Sequence, residues 1–367
     1  MNRVNVGVIG CGVISGIYLK NLKEKFRIAN VIAVCDINLE QAEKTARLFD
    51  VPYVYNDPKD LVSNSEVEVV LVLTTPQSHA PLCKMALEAG KHVFCEKPLA
   101  TELRDGIEVV RLAEEKGLRL GCAPETFLGA GIQTSKKLLE DGWIGRLIGA
   151  RCNVIMFGPE TWHPNPAFFY KKGAGPMLDW GPYYISALAY LLGPIKRVVS
   201  YSKVTYPQRK AFCKERYGEI FDVEVPTFIS GILEHENGAI TSLTITFDAC
   251  SNSSLDIEIM GTEGSLIVPN PDTFGNGSEI RYKKLQKIKR DNDQVAWSSI
   301  PFLIGSGENN RGIGFADMLE AIRADRPHRV NGNFALHVLE VMLALERGMG
   351  DSVCIEHSFL SPSELSI

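Results

Sequence analysis

Apolar runs separated by amphipathic stretches organise the first third of the chain. Val4 to Ile9, Val31 to Cys35 and Val67 to Leu73 (VEVVLVL) have the largely apolar character of strands buried on both faces. Helical spacing marks Leu39 to Phe49, Pro81 to Ala89 and Glu102 to Lys116, and two more strand-like runs fall at His92 to Cys95 and Leu118 to Cys122. Strand and helix alternating at this length predict a parallel sheet with right-handed crossovers. Residues 1–122 are therefore expected to form a doubly wound α/β domain.

Beyond Cys122 the period changes. Leu128 to Asp141 reads as a helix, and alternating segments dominate from Arg146 onward. In AITSLTITF, Ala239, Leu243, Ile245 and Phe247 share one face, and Ser242, Thr244 and Thr246 the other. Glu236-Asn237-Gly238 is a turn signal joining this strand to Thr227 to His235 as a hairpin. Further strands are expected at Ser254 to Met260 and Ser265 to Val268, and helices at Phe315 to Ala324 and Phe334 to Glu346. Residues 123–367 are thus expected to build an α+β domain on a large, mainly antiparallel sheet. Its outer face suits a subunit interface, which predicts a homodimer or homotetramer. The basic run 283–290 (KKLQKIKR) reads as a solvated edge hairpin.

The first strand leads into a glycine turn: Gly10, Gly12 and Gly16 stand directly before a helical segment, with Ser15 where a strict dinucleotide fingerprint has its third glycine. Gly12, Val13 and Ile14 then open a helix whose positive end faces a pyrophosphate. The second strand ends in Asp36, where the fingerprint expects an acid on the adenosine ribose. A carboxylate there accepts from both ribose hydroxyls and repels a 2′-phosphate. Ile37 and Asn38 follow it rather than an arginine, so NAD is expected over NADP.

In such sheets ligands bind beyond the carboxyl ends of the strands. Two loops lie there. Thr74-Thr75-Pro76-Gln77-Ser78-His79 carries hydroxyls along the expected path of the cofactor, and His79 reads as a cap of the next helix, with a catalytic role as the alternative. Glu96-Lys97-Pro98 puts a cation at the sheet edge, where it is either a solvated charge or a group beside the nicotinamide that stabilises an alkoxide.

At 367 residues the chain calls for two domains. A formal net charge of −5 argues against nucleic acid as a partner, and no apolar run is long enough for a bilayer. The first strand begins within a few residues of Met1, leaving no room for a signal peptide, so a cytoplasmic location is expected. Nine cysteines without a C-x-x-C pair read as reduced thiols, and no metal site is expected.

The stretch Gly173-Ala174-Gly175-Pro176-Met177-Leu178-Asp179-Trp180-Gly181-Pro182-Tyr183-Tyr184 completes a set. Together with the glycine turn, Asp36 and Glu96-Lys97-Pro98, it resembles the Gfo/Idh/MocA family (glucose-fructose oxidoreductase, inositol dehydrogenase, rhizopine catabolism) over nearly the full length. The resemblance implies an NAD-dependent oxidoreductase that moves hydride between a sugar, inositol or related polyol and nicotinamide. It implies roles for Lys97 and Asp179 around the reacting carbon, and for Tyr183 at a position where many members carry histidine. A phenol beside a lysine has its pKa lowered, which suits proton transfer from a carbinol. Ala123-Pro124-Glu125 departs from the arginine- or asparagine-containing motif of many relatives, and Glu125 is expected to hold substrate hydroxyls. Trp162 is expected to stack on a sugar face and His163 to bind a hydroxyl or carry the proton. Without the motif, Tyr183 reads as a core aromatic and Asp179 as a helix cap. Two rival functions stay open: a glycoside hydrolase that retains NAD, and a dinucleotide-binding sensor without turnover.

Overall fold

The computed structural model of the chain describes residues 3–249, 254–275, 279–284, 296–305 and 307–359. The chain divides into two compact units, Met1–Glu125 with Asn310–Leu339, and Thr126–Asn309 with Glu340–Ile367.

The first unit alternates as expected: β1 (Val4–Ile9), α1 (Val13–Glu24), β2 (Ala29–Cys35), α2 (Leu39–Phe49), β3 (Tyr53–Tyr55), α3 (Pro58–Ser63), β4 (Val69–Val72), α4 (Pro76–Glu88), β5 (His92–Cys95), α5 (Leu103–Glu115) and β6 (Leu120–Cys122). All pairings are parallel, in the order β3-β2-β1-β4-β5-β6. Val6, Val8, Val69, Val70 and Val72 are fully buried in the central strands, each stabilising the fold by roughly 1.5–3 kcal/mol of apolar burial. The hydrophobic pattern missed β3 and α3, which are too short to show a period.

This unit also takes in 310–339, which the pattern had assigned with the rest of the chain's second half to the other domain. The physical reason is packing. The ring of Phe315 lies 5.5 Å from that of Phe94 on β5, and Gly121 on β6 forms a bridge with Asn331.

The second unit contains α6 (Ala130–Glu140), β7 (Leu147–Ile155), α7 (Gly175–Leu192), β8 (Ile195–Lys203), the small antiparallel pair β9 (Gln208–Lys210) and β10 (Ile220–Asp222), β11 (Phe228–His235), β12 (Ile240–Thr246), β13 (Ser254–Gly261), β14 (Gly264–Val268), β15 (Ile280–Lys284) and β16 (Ser298–Ile300). After α8 (Ile313–Ala324) of the first unit and α9 (Gly332–Arg347), β17 (Met349–Cys354) ends the described elements. Nine strands run in the order β16-β15-β14-β13-β7-β12-β11-β8-β17. Every pair is antiparallel except β12 with β7.

The hairpin of β11 and β12 turns at Asn237 and Gly238, with Gly238 at φ +85°. Ala239, Leu243, Ile245 and Phe247 are buried as the alternation requires, while Ser242 is exposed. Of the basic run 283–290, Lys283 and Lys284 lie on β15; 285–290 are outside the described residues, as is Cys250.

α4 begins earlier than the spacing predicts, running from Pro76 through Pro81. α7 likewise runs from Gly175 through an internal Pro182. A proline usually stands in the first turn of a helix, so an internal one reads as a start.

Candidate active site

The carboxyl ends of β1, β2 and β4 border a cleft of about 630 Å³ in the first unit. Gly10 makes the turn into it. Its φ is +102°, and a Cβ there would stand 2.6 Å from the Leu73 carbonyl oxygen, so only glycine fits. At Gly12 a Cβ would meet nothing within 4 Å, which leaves the backbone open to the cleft. α1 has neither a side-chain cap nor an acid in its first turn, so the positive end of its dipole is uncompensated. Ser15 is buried, and its hydroxyl donates to the Gly12 carbonyl at 2.7 Å, bracing the turn.

Asp36 is held by two backbone amides: Oδ2 accepts from Cys11 N–H at 2.8 Å and Oδ1 from Asn38 N–H at 2.9 Å. Each oxygen keeps acceptor capacity for a ribose hydroxyl. Thr74 also borders the cleft, and its Oγ1 is buried without a hydrogen-bond partner. Such an orphaned hydroxyl is one a ligand's polar group satisfies. Exposed Val13 and Ile37 add apolar wall. These residues could hold a dinucleotide, Gly12, Val13 and Ile14 offering a place for its pyrophosphate and Asp36 one for its adenosine ribose. Gln77, Ser78 and Pro81 line the cleft beside Thr74 and Thr75, and sequence reasoning had not named them as ligands.

Three expected ligands are placed differently. His79 is no helix cap: it stands in the first turn of α4, fully buried, with Nδ1 2.7 Å from the Pro98 carbonyl and Nε2 3.0 Å from that of Thr74. Burial holds its pKa below the usual imidazole range. Glu96 is also buried. Its Oε2 accepts the Lys97 amide at 2.8 Å, and its Oε1 accepts the Tyr18 hydroxyl at 3.0 Å and Arg311 Nη1 at 3.4 Å.

Glu125, expected on substrate hydroxyls, is 1% exposed. Its Oε1 accepts the Gly312 amide at 2.6 Å, and its Oε2 lies 3.2 Å from the Tyr18 hydroxyl. A strand-end carboxylate looks solvent-facing in sequence, but Arg311 and Gly312 close over this one. Burial pushes its carboxyl above the usual range. Lys97 follows Glu96 half-buried, in a turn closed by a cis Lys97-Pro98 bond, and Pro76 opens α4.

In the second unit, Asp179 and Tyr183 stand on one helix, four residues apart and so on one face of α7. Asp179 is interior to the helix, whose N-cap position is Ala174. Of the 18 residues of α7, all but Asp179 and Trp180 are buried, Tyr183 at 8% exposure among them. A helix apolar on nearly every side leaves one carboxylate half-buried, next to a half-buried tryptophan.

Trp162 is exposed and meets the ring of His163 edge-on at 5.3 Å, and His163 meets Phe169 at 4.8 Å. Asn165 N–H donates to His163 Nδ1 at 3.0 Å, so Nε2 carries the proton of the neutral ring. Beside this loop Arg209 is clamped between buried Glu160, at 2.5 Å, and Asp248, with Tyr170 also bonded to Glu160. Sequence reasoning missed this cluster, as it missed Tyr18 and Arg311. The one cue was a tyrosine on the apolar side of α1. Among the described residues, no group of His, Cys, Asp or Glu is arranged to hold a metal, and no helix is long and apolar enough to cross a membrane.

Residues 4–123 match the family described as "Oxidoreductase family, NAD-binding Rossmann fold", and residues 132–267 match the GFO/IDH/MocA C-terminal domain. The chain is 30% identical to inositol 2-dehydrogenase 3 of Saccharopolyspora erythraea over 278 residues, 74% of this chain and 75% of that protein. It is 26% identical to levoglucosan dehydrogenase of Pseudarthrobacter phenanthrenivorans over 291 residues, 73% of this chain and 74% of that one. In three dimensions it is similar to a levoglucosan dehydrogenase solved with NADH and L-sorbose, with a TM-score of 0.82 at 22% identity, covering 97% of this chain and 99% of that one. With its glycine turn, its Asp36 and both domains matched, the chain belongs to the Gfo/Idh/MocA family of NAD-binding oxidoreductases.

Proposed function

We propose that this chain is an NAD-dependent dehydrogenase that oxidises one carbinol of a sugar, an inositol or a related polyol. The substrate class follows the inositol and levoglucosan dehydrogenases it resembles. The observation that carries it on this chain is Asp179, the one carboxylate on the largely buried α7, one turn before Tyr183.

NAD, when bound, supplies the hydride acceptor. The Lys97 ammonium stabilises the developing alkoxide, Tyr183 as the phenolate takes the hydroxyl proton and becomes the phenol, and Asp179 orients neighbouring hydroxyls. Trp162 offers a flat apolar face to the ring, and His163 donates from Nε2 to a hydroxyl. Unpaired cysteines, seven of them buried among the described residues, suit a reducing cytoplasm. A second copy covers the exposed Tyr201, Ile232 and Ile240 of the large sheet in a homodimer or homotetramer. Light scattering that finds only monomer at micromolar concentration removes that assembly.

The test is absorbance of reduced nicotinamide while the protein and NAD meet a panel of aldoses, inositols, sugar acids and anhydrosugars. A substrate-dependent rise identifies the polyol class; glycoside cleavage with no rise instead selects the NAD-retaining hydrolase. Lys97→Ala should lower turnover by at least about a hundredfold with NAD affinity within about tenfold. Unchanged turnover removes Lys97 from the chemistry.

A further inference from the structure

Four segments of the first unit meet behind Lys97. Tyr18 comes from α1, Glu96 from the turn after β5, Glu125 from the segment after β6, and Arg311 with the Gly312 amide from the approach to α8. The Tyr18 hydroxyl has one proton and two carboxyl oxygens within reach, Glu96 Oε1 at 3.0 Å and Glu125 Oε2 at 3.2 Å. It can donate to only one of them. The second contact closes when the other carboxyl carries a proton of its own and donates it to the phenol oxygen.

The neighbours decide which carboxyl that is. Glu96 accepts from Arg311 and from the Lys97 amide as well, and is the anion. Glu125 accepts the Gly312 amide on Oε1 and interacts with its own backbone amide; Arg311 attracts it but bonds Glu96, which leaves Glu125 Oε2 to carry a hydrogen. The chain of donors then runs from Glu125 to Tyr18 to Glu96, and the cluster is neutral overall: one guanidinium, one carboxylate, one carboxylic acid, one phenol.

We propose that Tyr18 and Glu125 are positioning residues for Lys97: together with Arg311 they fix the Glu96 carboxylate, which fixes the Lys97 amide, with Glu125 serving as a neutral acid. This rests on Lys97 acting as set out above. A lysine side chain is long and flexible, so the part of it that the fold can place is its backbone. A displacement of about 1 Å at a reacting group can lower a rate by about a hundredfold. The burial that pushes the Glu125 carboxyl upward agrees with the proton count. Cys122, whose thiol donates to the Glu96 carbonyl at 3.6 Å, and Cys95 and His79, which also face Glu96, are the further titratable groups here, and burial favours the neutral form of each.

Two measurements on the intact protein test the clamp without turnover. The first is hydrogen exchange of the Lys97 amide. Tyr18→Phe, which keeps the ring and removes the hydroxyl, and Glu125→Ala should each speed it by at least about tenfold, and Glu125→Gln should restore protection, because an amide can donate to Tyr18 and accept from Gly312. Wild-type exchange in Tyr18→Phe overturns the proposal. The second is the infrared difference spectrum of wild type minus Glu125→Gln, which should contain the carbonyl stretch of a protonated carboxylic acid. Its absence overturns the neutral acid. Were Glu125→Ala not to fold, Tyr18→Phe and Glu125→Gln still decide both points. Retained turnover in Lys97→Ala would sink the chemistry assigned to Lys97 while leaving both readouts unchanged, so the two failures are distinguishable.

Discussion

His79 Nδ1 lies 2.7 Å from the carbonyl oxygen of Pro98, and this contact joins the loop after β4 to the turn after β5. The other ring nitrogen faces the Thr74 carbonyl at 3.0 Å. Both partners only accept, so a neutral ring donates to one of them and a charged ring to both; burial favours the neutral form. The histidine ties the loop after β4, which borders the cleft, to the turn that carries Lys97.

His79→Ala should therefore cost about 2–4 kcal/mol of stability, by leaving a cavity and a buried carbonyl without its donor. It should also weaken NAD, because Thr74 loses its support. Denaturant midpoints and an NAD titration check both. A variant as stable as the wild type that still binds NAD normally would reduce the histidine to filler.

Gly10 and Gly12 should respond oppositely to alanine. Gly10→Ala forces a left-handed residue against the Leu73 carbonyl and should destabilise the fold by several kcal/mol. Gly12→Ala meets no protein atom, so its melting temperature should stay within about 2 °C of wild type while NAD affinity drops by about tenfold or more. Equal melting losses in the two variants would contradict this division of labour.

Much of the frame was legible because its periods are local. Continuous apolar runs announced β1, β2, β4 and β5, and strict alternation from Ala239 to Phe247 announced β12 with its buried face. The glycine turn and Asp36 could be read together since their spacing is set by one strand-helix-strand unit. The site was less legible where partners arrive from afar. Nothing near Glu125 signals that Arg311 and Gly312 return to bury it, and a carboxylate after a strand then looks like a ligand. Pro182 interrupted the helical pattern of α7 and so hid that Asp179 and Tyr183 share a face.

Asp36 should set the cofactor preference. Asp36→Asn keeps an acceptor for the Cys11 amide and removes the charge that repels a 2′-phosphate. NAD affinity should weaken by about tenfold and the ratio of NADP to NAD use should rise by a similar factor. Fluorescence titration of both cofactors checks this, and an unchanged ratio would dissociate Asp36 from the ribose.

Arg209 holds Glu160 and Asp248 in the second unit, all three less than a tenth exposed at their side chains. Arg209→Met leaves two buried carboxylates without a cation and should cost about 3–5 kcal/mol at pH 7. Adding Glu160→Gln and Asp248→Asn should return much of that loss, because the uncompensated charges are gone. A triple variant no more stable than Arg209→Met would show that the guanidinium acts by filling space.

His328 gives the first unit an acid sensitivity. Burial lowers its pKa from 6.5 to about 4, and its Nε2 donates to the Leu120 carbonyl at 3.1 Å. The unfolded chain takes up this proton near pH 6.5 and the folded chain only near 4, so the neutral ring's contribution is complete above 6.5 and is lost as pH falls between those values. The loss amounts to about 3 kcal/mol at the acid end. His328→Gln keeps a donor for Leu120 but has nothing to titrate. Its melting temperature should sit at or below wild type at pH 7 and above it near pH 4, so the two curves cross. Parallel curves across that window would assign the acid sensitivity to other groups.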